Sequence, residues 1–253
     1  MSAGRLNNAI LVASQIGTYF TMATINVMLN FLGTPVPKEY IESIQDGQDH
    51  SGDFEYRMIR HVLELPIEHL PKDVLDRYVE ISGKETYVAI FPHTDKLFER
   101  FMLPLKSAKR TYCLGEYLAC IELSAHLGEM LALLLWQITP LSLNGKTIDT
   151  QMEKNIWGSE FEKMGQEKRI NILKAFSAIT NEEEKLLDFL RTSRRKYFHF
   201  WDTSTEHIKD DALRCFLTIT ALVQKVLKIE YENGAVKLNP LLEAYLATHK
   251  AVG

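Results

Sequence analysis

The chain has 253 residues, enough to bury one sizeable hydrophobic core or two modest ones. Its 46% hydrophobic and 25% charged residues are ordinary for a globular protein. The formal net charge of −4 excludes a protein that coats nucleic acid indiscriminately, so any such binding has to come from a local patch.

From Leu6 to Pro37 no Asp, Glu, Lys, Arg or His occurs, a run long enough to span a bilayer. Ser14, Gln15, Gly17, Thr18, Thr21, Thr24, Asn26 and Asn30 interrupt it, and each costs free energy in hydrocarbon. The run reads as a buried or interface helix of a cytoplasmic protein, with no membrane partner expected. Gly33-Thr34-Pro35-Val36-Pro37 stops it.

Residues 38–105 read as short helical pieces broken by Asp46-Gly47, Ser51-Gly52, Pro66, Pro71 and Pro92. Tyr87–Phe91 is the one strand-like run; it has no obvious partner and reads as an extended connector. Ser107 to about Ile138 reads as one long helix through isolated Gly115 and Gly128, ended by Thr139-Pro140. No charge lies between Glu129 and Lys146, so the second half of that helix must be buried nearly all round. A loop around Asn144-Gly145 follows. Further helices are expected near 150–164, 166–178, 181–202, 205–231 and 239–250, with Thr180 and the acidic run Glu182–Glu184 opening the third. The class is all-α: a bundle of long up-down antiparallel helices over 106–253, preceded by an N-terminal helical region over 1–105.

Cys113, Cys120 and Cys215 are odd in number and have no metal-ligand spacing, so they read as small buried apolar groups in a reducing compartment. Gly-rich phosphate loops and the Gly-x-Ser-x-Gly nucleophile turn are absent from the sequence.

The most informative segment is Arg191-Thr192-Ser193-Arg194-Arg195-Lys196-Tyr197-Phe198-His199. On a helix at about 100° per residue, Leu186, Phe189, Leu190, Ser193 and Tyr197 share one side. Arg191, Arg195 and His199 form a column on the other, with Arg194 on the flank. Asp188 is within reach of Arg191, and Asp202 of His199. The plain alternative is a solvated basic face whose ion pairs contribute ~0–1 kcal/mol each. The chemical one is a phosphodiester site, where guanidinium groups neutralise phosphate and an imidazole moves the proton.

Arg194-Arg195-Lys196-Tyr197-Phe198-His199 resembles the Arg-x4-His motif of the HEPN superfamily (higher eukaryotes and prokaryotes nucleotide-binding domains). The approach to the motif is similar too: Gly165–Lys174, Ile179–Glu183 and Leu186–Arg191. The resemblance covers roughly residues 107–250. Active members most often carry Asn after the motif arginine, where this chain has Arg195. The resemblance implies a helical bundle and metal-independent cleavage of single-stranded RNA, through attack of a ribose 2′-OH on the adjacent phosphate. His199 would then be the acid/base and Arg194 the phosphate and transition-state ligand. Arg191, Arg195 and Lys196 would contact RNA. Since one imidazole cannot easily serve both faces of phosphorus, a homodimer that pairs two motif helices is implied. An antitoxin or regulatory partner in prokaryotic toxin–antitoxin or phage-defence systems is implied as well. Many members instead lack nuclease activity and serve as modules binding nucleotide, nucleic acid or protein.

Glu122, His126 and Glu129 form a stripe on the long helix, but the Glu-x-x-His of di-iron bundles occurs nowhere. A core histidine bonded to a carboxylate is the preferred reading, with Glu122 and His126 as cleft-lining residues the second. No metal or cofactor is expected.

Overall fold

The computed structural model describes residues 27–29, 36–67, 70–84, 90–92, 96–199, 203–227, 230–232 and 235–250. Among them the chain is all-α, with ten helices and three small two-stranded ribbons. The helices are α1 (Lys38–Gln45), α2 (Phe54–Leu63), α3 (Lys72–Lys84), α4 (Lys96–Leu114) and α5 (Tyr117–Ile138). They continue with α6 (Thr150–Trp157), α7 (Gln166–Ala175), α8 (Asn181–Phe198), α9 (Ile208–Leu227) and α10 (Pro240–Lys250).

Helix α5 is the centre of the bundle, touched by α4, α7, α8, α9 and α10. That is why its second half carries no charge: Leu131, Ala132, Leu134, Leu135 and Ile138 are all buried. It is also the one helix among the described residues long and apolar enough to cross a membrane, with 56% of its apolar window buried inside the protein.

The long helix expected from 107 to 138 is two helices. Gly115 adopts φ +86°, a left-handed conformation that glycine takes without Cβ strain, so α4 ends there and α5 folds back on it. At its other end α4 runs back to Lys96, straight through Pro104. Its buried stripe Phe101, Leu105, Ala108 and Tyr112 outweighs the backbone bond that the proline removes. The boundary expected at 105/106 therefore lies inside a helix, and one core runs from Val36 to Leu242 across it.

The ribbons are further departures. Val27–Leu29 (β1), inside the run expected to be helical, pairs antiparallel with Ile90–Pro92 (β2), so part of the Tyr87–Phe91 connector does have a partner. Most of the uncharged run, and with it the question of its membrane affinity, lies outside the described residues. Ser142–Leu143 (β3) pairs with Lys146–Thr147 (β4) around Asn144 at φ 53° and Gly145 at φ 75°, the two positive angles of a type I′ turn. Glu230–Glu232 (β5) pairs with Ala235–Lys237 (β6) across Asn233-Gly234, so the helix expected to reach 231 ends at Leu227.

Candidate functional site

Helix α8 is built to hold one face down. Thr180 Oγ1 accepts from the Glu183 backbone N–H and the Glu183 carboxylate accepts from the Thr180 N–H, a capping box that fixes the first turn. Leu187, Leu190 and Ser193 are buried, with Leu186, Phe189 and Tyr197 packed on the same core. Helix α8 runs antiparallel to α5, since Gly128 meets Leu187 and Leu190 while Glu122 meets Arg194. A Cβ on Gly128 would stand 3.0 Å from Leu190 Cδ1, so this glycine permits the close approach.

Beside that contact an open cleft of about 940 Å³ separates α8 from the start of α7. Arg191, Arg194, Arg195 and His199 all line it, together with Lys168, Arg169, Glu129 and Glu167. Five permanent cations and one imidazole thus face two carboxylates. Arg195 and His199 are exposed, and His199 is the C-cap of α8, its N–H donating to Arg195 O at 3.0 Å. The negative end of the helix macrodipole adds its attraction for these cations.

Most of the cations are already engaged. Arg191 Nε donates to Asp188 Oδ1 at 2.9 Å, and its Nη1 to Glu167 Oε2 at 3.1 Å. Arg194 is held by α5 from two directions: Nε donates to Glu122 Oε2 at 2.8 Å and Nη1 to Glu129 Oε1 at 2.9 Å. Glu129 also lies 3.9 Å from Arg169 Nη1. Arg169 is only 8% exposed and donates to the carbonyls of Phe161 and Glu162, so it ties the head of α7 to the cleft wall. Lys168 Nζ donates to Trp157 O at 2.7 Å. In the same wall Gln166 Oε1 is buried with no hydrogen-bond partner.

The column Arg191, Arg195 and His199 thus meets in one cleft, and Arg194 joins it from the flank. Lys196 does not: it turns to α9, where Nζ donates to Asp211 Oδ2 at 2.8 Å. That bond raises the Lys196 pKa above the usual lysine value, and the Tyr197 hydroxyl shares the same carboxylate at 2.7 Å. His126 is exposed on α5 rather than bonded in the core, and neither it nor Glu122 is in the cleft lining; Glu129 is. Asp202 lies outside the described residues.

Glu167, Lys168 and Arg169 were not singled out in the sequence. Glu129 belonged to the noted stripe, but nothing in the sequence said that two of its carboxylates would close on one guanidinium. Among the described residues no three His, Cys, Asp or Glu side chains converge as a metal site requires. The three cysteines are buried, and burial pushes the Cys215 thiol up to about 12.

Chemically, the cleft offers guanidinium N–H groups for a phosphate and one solvent-accessible imidazole for a proton. Comparison with family models, curated proteins and solved structures gave no match.

Proposed function

We propose that this cleft receives the backbone of single-stranded RNA and that the protein is a HEPN-like, metal-independent endoribonuclease acting as a cytoplasmic homodimer. One observation carries the reading: Arg194, Arg195 and His199 of a single Arg-x4-His motif open, with Arg191, into the same cleft. A neutral His199 takes the proton of a ribose 2′-OH as that oxygen attacks phosphorus. Arg194 and Arg195 neutralise the charge gathering on the phosphate oxygens. The 5′ oxygen leaves with a proton from His199 of the partner subunit, and the product ends in a 2′,3′-cyclic phosphate. Two motif helices side by side repel each other, and a bound polyanion relieves that repulsion. An antitoxin-like or regulatory protein that shields the cleft belongs to the same reading.

The engaged state of Arg191 and Arg194 favours a second reading, a catalytically silent module that binds nucleotide, nucleic acid or protein through the exposed Arg195 end of the cleft. Purified protein, a labelled single-stranded RNA and its 2′-deoxy counterpart, all in EDTA, separate the two. Nuclease action cuts the RNA to cyclic-phosphate ends and leaves the deoxy strand whole. A silent module binds without cutting. If the protein neither cuts nor binds, both readings fail.

A further inference from the structure

Arg194 is flanked by two acidic residues of another helix, and the geometry says what they do. Glu122 Oε2 takes the Nε–H at 2.8 Å and Glu129 Oε1 takes an Nη1–H at 2.9 Å, seven residues apart along α5. Neither carboxylate bonds Nη2. The three side chains are about one-third exposed, so the pairs stabilise the fold only weakly, and what they fix is direction. A guanidinium gripped at Nε and at one terminal nitrogen is held against rotation, in a side chain that lines the cleft.

We propose that Glu122 and Glu129 are positioning residues: a two-carboxylate clamp that aims Arg194 at a bound phosphate. The proposal rests on the reading of the cleft as an RNA site. The alternative is a latch that hides the arginine, and the two make opposite predictions when a carboxylate is removed. Arg169 extends the clamp. Its Nη1 lies 3.9 Å from the other Glu129 oxygen while Nε and Nη2 are anchored on the Phe161 and Glu162 carbonyls, so the start of α7 bears on the same carboxylate.

The test compares Glu122→Ala, Glu129→Ala and Glu129→Gln with wild type in the full-length protein. The 15N-edited Nε–Hε signal of Arg194, assigned through Arg194→Lys, reports the clamp without any substrate. It exchanges slowly with water in wild type and faster in each alanine variant. On single-stranded RNA, a freed guanidinium lowers kcat by up to ~10²-fold with KM little changed, and Glu129→Gln, which keeps an acceptor oxygen, restores most of the loss. Because Glu129 also touches Arg169, Glu122→Ala serves as the independent variant should Glu129→Ala fail to fold. Exchange as slow as wild type in Glu122→Ala overturns the clamp. Faster cleavage or tighter RNA binding in the alanine variants makes the pair a latch and overturns it equally. If wild type cuts no RNA, the proposed function fails, yet the exchange rates and the affinity for a 2′-deoxy strand still decide whether the carboxylates aim Arg194.

Discussion

Gly128 sets how closely α8 approaches α5, and replacing it tests that seat with two effects of opposite sign. An alanine gains ~1 kcal/mol of helix propensity over glycine in a helix interior. Its Cβ, however, would stand 3.0 Å from Leu190 Cδ1 and 3.7 Å from Leu187 Cδ2, and Leu190 is only 1% exposed, with little room to yield. Overpacking of this kind costs ~1–3 kcal/mol, so Gly128→Ala should fall between neutral and ~2 kcal/mol less stable than wild type. Gly128→Val adds two more methyl carbons and a stiff χ1 at the same contact, and should destabilise by ~2 kcal/mol or more. Urea unfolding at neutral pH reads both through the midpoint and slope. Combining Gly128→Ala with Leu190→Ala supplies a control, because the new methyl group then occupies space left by the leucine. The pair should show a favourable coupling of ~0.5–3 kcal/mol in a double-mutant cycle. A valine variant as stable as wild type, or a cycle with no coupling, would refute the close-approach argument. It would also remove the reason for locating Arg194 within reach of Glu122 and Glu129.

Glu160 lies 2.8 Å from Lys154 Nζ and 2.8 Å from Lys163 Nζ, and those hydrogen bonds, Lys154 first, hold its carboxyl from the usual 4.5 down to about 2. A carboxyl depressed on folding stabilises above its unfolded pKa and loses that contribution as pH falls through the folded one. Glu160→Gln should therefore be less stable than wild type at pH 7, and the gap should close as pH falls from 4.5 toward 2; a gap that persists at pH 2 contradicts the pairing. Burial raises the Cys120 and Cys215 thiols, and all three cysteines are buried, so native protein should resist a thiol reagent at pH 8 while unfolded protein titrates three thiols. Rapid modification of the native state would show that the core around α5 and α9 opens readily. Thr180→Ala removes half of the capping box and should cost ~1 kcal/mol in thermal or urea unfolding, with the loss confined to the α7–α8 turn by hydrogen exchange. An unchanged stability would mean that the Glu183 carboxylate alone caps α8.

The helical architecture could be read from the sequence because its strongest signals are local. The charge-free half of α5 announced the helix at the centre of the core, although Gln137 stays exposed, and Thr180 with its acidic followers announced the start of α8. Two of the misreadings share a cause, a short-range signal given too little weight. Gly115 looked like a tolerated helical glycine, yet its positive φ turns the chain. Asn144-Gly145 looked like a loop, although Asn-Gly is the dipeptide that type I′ hairpins demand. The strand at Val27–Leu29 was hidden because its partner lies some sixty residues away in sequence, and no periodicity reports such pairing. At the site, helical spacing alone brought Arg191, Arg195 and His199 onto one face. It could not foresee that Lys196 would be claimed by Asp211 on α9, or that Glu122 and Glu129 would both turn to Arg194. Those outcomes depend on which helices become neighbours, and that is settled by packing rather than by spacing.

The account stands on the chemistry of one motif, and the most direct measurement is cleavage of a labelled single-stranded RNA in EDTA by wild type, His199→Ala and Arg194→Ala. Circular dichroism and urea unfolding establish that each variant is folded. The account predicts that wild type cuts to 2′,3′-cyclic phosphate ends and that neither folded variant does. Folded variants that cut as fast as wild type would contradict it.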